Sequence, residues 1–235
     1  MIQVNEIFGP TVQGEGKSAG KPCAFLRLAN CNLHCIWCDT PHTWNWSGTP
    51  WLHPDKYVRA NEVHKMTDIE VLEKLESFGP KFLVMSGGEP FMQQKHLLPL
   101  VHLLKLRKWW IEVETNGTLM PHETFMLNVD QVNCSPKLAN GGDKFKLRHN
   151  PQALRALAAS EKVNFKFVIQ TEDDLAEVLE MCDIYKFREV RLMPECRTKE
   201  ELVEKESWLE DISRRHGFIY TTRLSILQSG TKRGV

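Results

Sequence analysis

Apolar and polar positions follow two rhythms along this chain. Short apolar or period-two runs predict strands at 22–28, 81–85, 110–113, 129–134, 163–169 and 189–193, with a last one over 218–226. Between them lie helical patterns. Thr67 followed by Glu70 reads as a capping box, with Ile69, Leu72 and Leu75 at helical spacing behind it. Further helices are predicted at 97–106 and 151–159, from an acidic start at 171–174, and from Thr198 and Glu201 to His216. Strand–helix alternation implies parallel β/α units with right-handed crossovers, and about six such strands fall short of the eight that close a barrel. Functional loops in such α/β folds sit at the carboxyl ends of strands. The rhythm fails over 41–66, where Trp44, Trp46, Trp51, Pro50 and Pro54 show no period. That stretch reads as an ordered, packed insertion loop within a single domain spanning residues 1–235.

Composition changes this picture little. The 235 residues are 42% hydrophobic and 26% charged, as in ordinary globular chains. Thirty basic residues balance thirty acidic ones. No nucleic-acid partner is expected, and the basic cluster at 144–148 reads as solvated surface. No apolar run of about 18 residues predicts a membrane span, and the first residues lack a signal-peptide pattern, so a cytoplasmic location is expected. Seven cysteines, three of them crowded into residues 31–38, suit metal binding or catalysis in a reducing compartment better than disulfides.

Those three are Cys31, Cys35 and Cys38, spaced C-x3-C-x2-C with Trp37 before the last. Thiolates ligate iron–sulfur clusters, which usually take four ligands. Three on one loop, with no fourth nearby, leave one iron open to an outside donor. That pattern signals a [4Fe–4S] cluster that binds S-adenosylmethionine (SAM) and drives radical chemistry. A zinc-stabilised binding module is the rival reading, since His34 lies within the loop, but no second ligand pair accompanies it. Cys23, Cys134, Cys182 and Cys196 read as small buried hydrophobes.

Other motifs also fall after predicted strands. Ser86-Gly87-Gly88-Glu89-Pro90 follows the run at 81–85. Its glycines allow close approach to a ligand, and Glu89 offers an acceptor for an ammonium. Ser135-Pro136-Lys137 ends the run at 129–134, and Lys137 suits a carboxylate or a ribose oxygen. Residues 8–16 form a glycine-rich polar segment whose amides, with Gln13 and Glu15, suit a small planar ligand. Arg27, inside an apolar strand, implies either an anionic ligand or an internal ion pair.

Taken together, EIFGPTVQGEG, CNLHCIWCDT, SGGEP, ETNGT, SPK and the ending GTKRGV resemble the 7-carboxy-7-deazaguanine synthase family over nearly the whole chain. The resemblance implies an abbreviated β/α barrel of the TIM type, as radical SAM enzymes have. It implies ring contraction of 6-carboxy-5,6,7,8-tetrahydropterin to 7-carboxy-7-deazaguanine with loss of ammonia, on the way to queuosine and other 7-deazapurines. It implies SAM, a [4Fe–4S] cluster and Mg2+, an electron donor of flavodoxin or ferredoxin type, and a homodimer. Carried over by position, Cys31, Cys35 and Cys38 hold the cluster and Thr40 the Mg2+. Trp37, Cys38, Asp39, Gly88, Glu89, Ser135, Pro136, Lys137, Met193, Pro194, Glu195 and Cys196 contact SAM. Val12, Gln13, Gly14, Glu15, Arg27, Ser86 and the terminal carboxylate of Val235 contact substrate. Two departures stand out: Ser225 where many relatives carry histidine, and Gln228-Ser229 where some carry an aromatic residue. A glycyl-radical activase, with the same cysteine spacing and a protein substrate, is the alternative enzyme reading.

Overall fold

A computed structural model describes residues 1–230 and 232–234. The chain runs β1 (Ile2–Val12), β2 (Pro22–Leu28), α1 (Arg59–Glu62), β3 (His64–Met66), α2 (Asp68–Glu76), β4 (Phe82–Gly87), α3 (Gln94–Leu106) and β5 (Trp110–Thr115). It continues through α4 (Glu123–Asn128), β6 (Gln131–Cys134), α5 (Phe145–Arg148), α6 (Pro151–Ala158), β7 (Val163–Ile169), α7 (Asp174–Tyr185), β8 (Val190–Pro194), α8 (Lys199–His216), β9 (Ile219–Tyr220) and α9 (Leu224–Ser229). One sheet holds all the strands in the order β3-β1-β2-β4-β5-β6-β7-β8-β9. From β2 to β9 every pairing is parallel, while β1 and β3 add antiparallel to the β2 edge. The end strands β3 and β9 do not pair with each other, so the sheet is a partial β/α barrel, open on one side.

The outer face of the sheet carries the apolar core. Leu26, Leu83, Met85, Ile111, Val113, Phe165, Phe167 and Leu192 are buried against Val71, Leu72 and Leu75 of α2, Leu97, Leu100 and Leu104 of α3, and the apolar stripes of α6, α7 and α8. Each such side chain contributes about 1.5–3 kcal/mol relative to exposure. Thr67 and Thr198 each form the expected capping box, with Glu70 and Glu201 reaching back to the cap. Ile69 is 49% exposed, and Val71 takes its place in the core. Residue 69 stands roughly a third of a turn from the centre of the stripe formed by Val71, Leu72 and Leu75.

The structure corrects three other expectations. The predicted last strand shrinks to β9, and residues 224–229 form α9 instead. Thr221 Oγ1 accepts from the Gly16 N–H at 2.8 Å, and the Leu224 N–H donates to the Gly14 carbonyl at 2.8 Å. These bonds to the 13–16 loop turn the chain away from strand geometry. The glycine-rich segment at 8–16 is strand through Val12, where Phe8 stacks on its register partner Phe25 with ring centres 5.0 Å apart. The insertion at 41–66 is ordered as read, but it contains α1 and ends in β3, which pairs Ile2 with Met66 on β1. Among the described residues, no helix is long and apolar enough to cross a membrane.

Candidate active site

The loop after β2 carries the three cysteines, and all three line one cavity of about 270 Å3 at the carboxyl ends of the strands. N–H groups reach their sulfurs: Leu33 donates to Cys31 at 3.5 Å, and the Trp44 indole to Cys38 at 3.3 Å. Burial pushes all three thiols upward, Cys35 to about 12, so each stays neutral unless a cation compensates. Sulfurs that are buried and met by N–H donors fit thiolate ligands of an iron–sulfur cluster. Among the described residues, no three His, Cys, Asp or Glu side chains group closely enough for a single metal ion. A cubane places each cysteine on a different iron, so its ligands need no such grouping. His34 stacks on Trp51 at 3.5 Å and belongs to the wall of the loop. Cys23, Cys134 and Cys196 are fully buried away from the cavity, as expected, while Cys182 is only partly covered.

The glycine pair lines the cavity and also permits a close backbone crossing. A β-carbon on Gly87, whose φ is +119°, would lie 2.3 Å from the Leu28 backbone. One on Gly88 would lie 1.9 Å from the Asn30 carbonyl oxygen. The glycines therefore let the end of β4 cross the base of the cysteine loop, where Gly88 N–H donates to Leu28 at 2.9 Å and Glu89 N–H to Asn30 at 2.9 Å. Glu89 itself is fully buried and turned away from the cavity. Its carboxylate accepts from Phe91 N–H at 2.9 Å, Thr115 Oγ1 at 2.7 Å and Asn116 N–H at 2.7 Å. Burial outweighs these donors and pushes its carboxyl upward. Thr40 Oγ1 faces the cavity, 3.6 Å from Cys38 Sγ and 3.4 Å from the Gly87 carbonyl.

Ser135 and Lys137 line the cavity next to Trp37, with Lys137 Nζ 2.9 Å from Ser135 Oγ and 5.6 Å from the Trp37 ring centre. Trp37 is pinned by its indole N–H to the Asn140 carbonyl at 3.0 Å. Asp39, Gly88, Met193 and Glu195 also line the cavity, whereas Pro136, Pro194 and Cys196 lie outside its wall.

Val12, Gln13, Gly14, Glu15, Arg27 and Ser86 line the same cavity. Arg27 Nε donates to Glu6 at 2.6 Å, the internal ion pair that its sequence position allowed. The guanidinium also lies over the Phe8 ring, 5.6 Å from its centre, and among the described residues its two terminal nitrogens make no hydrogen bond, which leaves them for an anion. Gln13 donates to Glu112 at 2.6 Å and Glu114 at 3.2 Å. Glu15 pairs with Lys166 and stands 4.0 Å from Arg223 Nε. Burial opposes ionisation of Glu15, but these two cations outweigh it and hold its carboxyl below the usual range. Ser229, Gly230, Lys232, Arg233 and Gly234 also line the cavity. Val235 lies outside the described residues. Ser225 also faces the cavity, from α9 rather than from a strand.

The sequence reading missed the polar lining of the barrel interior. Glu112 and Glu114 on β5 meet Gln131 and Asn133 on β6, and Asn133 Nδ2 bridges the two glutamates at 2.7 and 2.8 Å. Lys166 on β7 reaches Glu114 at 3.2 Å. Burial, and then repulsion from Glu114, pushes the Glu112 carboxyl upward. Arg223 joins Asp39 to the Cys196 carbonyl. The signal was present: polar residues fill alternate positions of strands whose neighbouring positions are all apolar, which marks a second, polar face.

Comparisons with known proteins agree with this geometry. The family model of the radical SAM superfamily matches residues 27–190. The 7-carboxy-7-deazaguanine synthase of Pyrobaculum aerophilum is 33% identical, covering 99% of this chain and 97% of that protein. The enzyme of the same name from Bacillus cereus is 26% identical over 100% and 99%. The crystal structure of QueE from Escherichia coli aligns with a TM-score of 0.70 at 26% identity, covering 94% of this chain and 93% of that one. Streptococcus suis SuiB bound to S-adenosylmethionine, 12% identical with a TM-score of 0.54 over 82% of this chain and 48% of its own, shares the fold. Matched by the family model over residues 27–190 and by a relative over 99% of its length, this chain belongs to the radical SAM superfamily and, within it, to the 7-carboxy-7-deazaguanine synthase family.

Proposed function

We propose that this enzyme converts 6-carboxy-5,6,7,8-tetrahydropterin to 7-carboxy-7-deazaguanine with loss of ammonia, a step toward queuosine and other 7-deazapurines. One observation carries the reading: a single cavity is lined by the three cysteines together with Gln13, Glu15 and Arg27. Cys31, Cys35 and Cys38 would hold the [4Fe–4S] cluster. With SAM bound beside it, that cluster supplies a carbon-centred radical able to take a hydrogen atom from substrate.

The chain's own groups bind and orient. Ser135, Lys137 and the backbone at 37–39 and 88 form the SAM side of the cavity. Lys137 meets a carboxylate there, supported by its position over Trp37. Arg27 receives the substrate carboxylate through its terminal nitrogens, in charge-assisted hydrogen bonds. Glu15, kept ionised by Lys166 and Arg223, accepts from the pterin's N–H edge. Gln13, its amide N–H groups held by Glu112 and Glu114, presents its carbonyl oxygen to the ring. Ser229, Gly230, Lys232, Arg233 and Gly234 line the same cavity, whose volume of about 270 Å3 suits a small substrate better than the protein substrate of an activase. Thr40 Oγ1, which faces the cavity, would offer one oxygen to Mg2+, a cation that rarely needs an all-protein cage. Family resemblance alone supports a homodimer, a flavodoxin- or ferredoxin-type electron donor and a cytoplasmic location.

The test is an anaerobic assay of reconstituted protein with SAM, dithionite, Mg2+ and the tetrahydropterin, read by mass spectrometry. 7-Carboxy-7-deazaguanine is expected, with Cys31→Ala, Cys35→Ala and Cys38→Ala all inactive in SAM cleavage. SAM cleavage without that product would discard the substrate and keep the chemistry.

A further inference from the structure

Gln13 is held at both ends. Its backbone N–H donates to the Lys21 carbonyl at 2.9 Å, and its own backbone carbonyl accepts from Gly20 N–H at 2.8 Å. The residue is 2% exposed, and both side-chain N–H groups are spent, on Glu112 at 2.6 Å and Glu114 at 3.2 Å. Its side-chain oxygen accepts no hydrogen bond among the described residues, and Gln13 lines the cavity.

The two ends of an amide side chain have nearly the same shape and opposite hydrogen-bonding sense, so its partners decide which end faces a cavity. Here Glu112 decides. It is fully buried, and its Oε1 meets both Gln13 Nε2 and Asn133 Nδ2, at 2.6 and 2.7 Å. Its Oε2 meets Gln131 Nε2 at 2.8 Å. An oxygen met by two N–H groups accepts from both and has nothing to give a carbonyl. Asn133 is fixed in the same sense, since its Nδ2 also donates to Glu114 at 2.8 Å and its Oδ1 accepts from Gln131 at 3.1 Å. The strand register sets this up by pairing Glu112 with Gln131 and Glu114 with Asn133. Three amides thus turn their nitrogens toward two glutamates, and the polarity of the cluster ends on the Gln13 oxygen. A polar cluster that served stability alone would close on itself, because an unpaired acceptor costs free energy. One acceptor left open at a cavity points to an N–H group on a ligand.

We infer that Glu112 is a positioning residue for substrate recognition: it holds the Gln13 carbonyl oxygen toward the cavity, so that the site reads a ring N–H of the pterin and disfavours a ring with an acceptor there. The inference rests on the function proposed above. Glu112 is not in the cavity wall and acts through Gln13.

The test is a double-mutant cycle on reconstituted holoenzyme, with KM and kcat read from 7-carboxy-7-deazaguanine formed in the dithionite-driven reaction. Gln13→Ala removes the oxygen and should raise KM about tenfold. Glu112→Gln puts a donor where an acceptor stood and lets the Gln13 amide turn over. It should raise KM by a similar factor, with kcat changed less. Because Glu112 acts through Gln13, the double variant should keep the KM of Gln13→Ala alone. Glu112→Asp, which keeps a carboxylate, should raise KM less, and it takes the place of Glu112→Gln in the cycle if the latter loses the parent's circular dichroism. Single effects that multiply to about 100-fold in the double variant would overturn the inference and leave Glu112 a structural group of the barrel interior. So would an unchanged KM in Glu112→Gln. A parent that forms no 7-carboxy-7-deazaguanine would overturn the function reading, and this inference with it.

Discussion

A side chain of even one carbon on Gly88 would stand 1.9 Å from the carbonyl oxygen of Asn30, one residue before the first cluster cysteine. The clash is with backbone, which has no rotamer to yield. The end of β4 and the base of the cysteine loop are thus interlocked, and the two hydrogen bonds from Gly88 and Glu89 depend on that contact.

Gly88→Ala should therefore displace the cysteine loop, at a cost of about 2 kcal/mol or more. Iron content after reconstitution is expected to fall well below the parent's, with far-ultraviolet circular dichroism little changed. Full iron loading would show that the loop tolerates the shift.

Arg27→Ala removes the cation proposed to meet the substrate carboxylate. Charge-assisted hydrogen bonds contribute about 1.5–3 kcal/mol, so KM should rise about 10- to 150-fold. Arg27→Lys should recover only part of this, since an ammonium lacks the planar fork. An unchanged KM would leave Arg27 as the partner of Glu6 alone.

Glu6 ties that arginine to the fold and makes it acid-sensitive. Burial opposes ionisation of Glu6, but the His42 ring nitrogen 3.7 Å away and the paired Arg27 outweigh it, lowering its pKa from 4.5 to about 2. The group has a depressed folded pKa, so its contribution is complete above about 4.5 and is lost as pH falls toward about 2. That contribution is up to about 3 kcal/mol at neutral pH. Denaturant melts from pH 7 to 3 should show the parent losing more stability than Glu6→Gln. Parallel losses would assign the acid sensitivity elsewhere.

Lys166→Met leaves Glu15 and Glu114 without their shared cation. Removing one partner of a buried ion pair costs about 3–5 kcal/mol. The carboxyl of Glu15, relieved of the cation, should titrate higher, and the acid limb of the kcat/KM profile should move to higher pH. Lys166→Arg, which keeps the charge, should restore the limb; a limb unmoved in Lys166→Met would remove Glu15 from the pH dependence.

Thr40→Ala should weaken stimulation by Mg2+ severalfold while leaving iron content and SAM cleavage intact. An unchanged magnesium titration would take Thr40 out of the metal's surroundings.

Local chemistry was legible along the chain. Strands β2 and β7 fall at their predicted bounds, and both capping boxes form, because alternation and capping act within a few residues. The three cysteines reach one cavity because a short loop carries them all. Glu89 shows where such reading ends. Its motif marks it for a ligand, yet its carboxylate closes on Thr115 and Asn116, a strand away.

What the sequence determined by itself was therefore the alternation of strands and helices after β4, the clustering of three cysteines on one loop and the family, all of which depend on spacing along the chain. What only the tertiary structure decided was which polar residues face one another: Glu15 with Lys166, Gln13 with Glu112, Arg223 with Asp39. These partners lie about a hundred or more positions apart and meet because the parallel sheet curls its polar face inward. A buried charge must find its counter-charge wherever the fold brings one, and no local pattern encodes that distance.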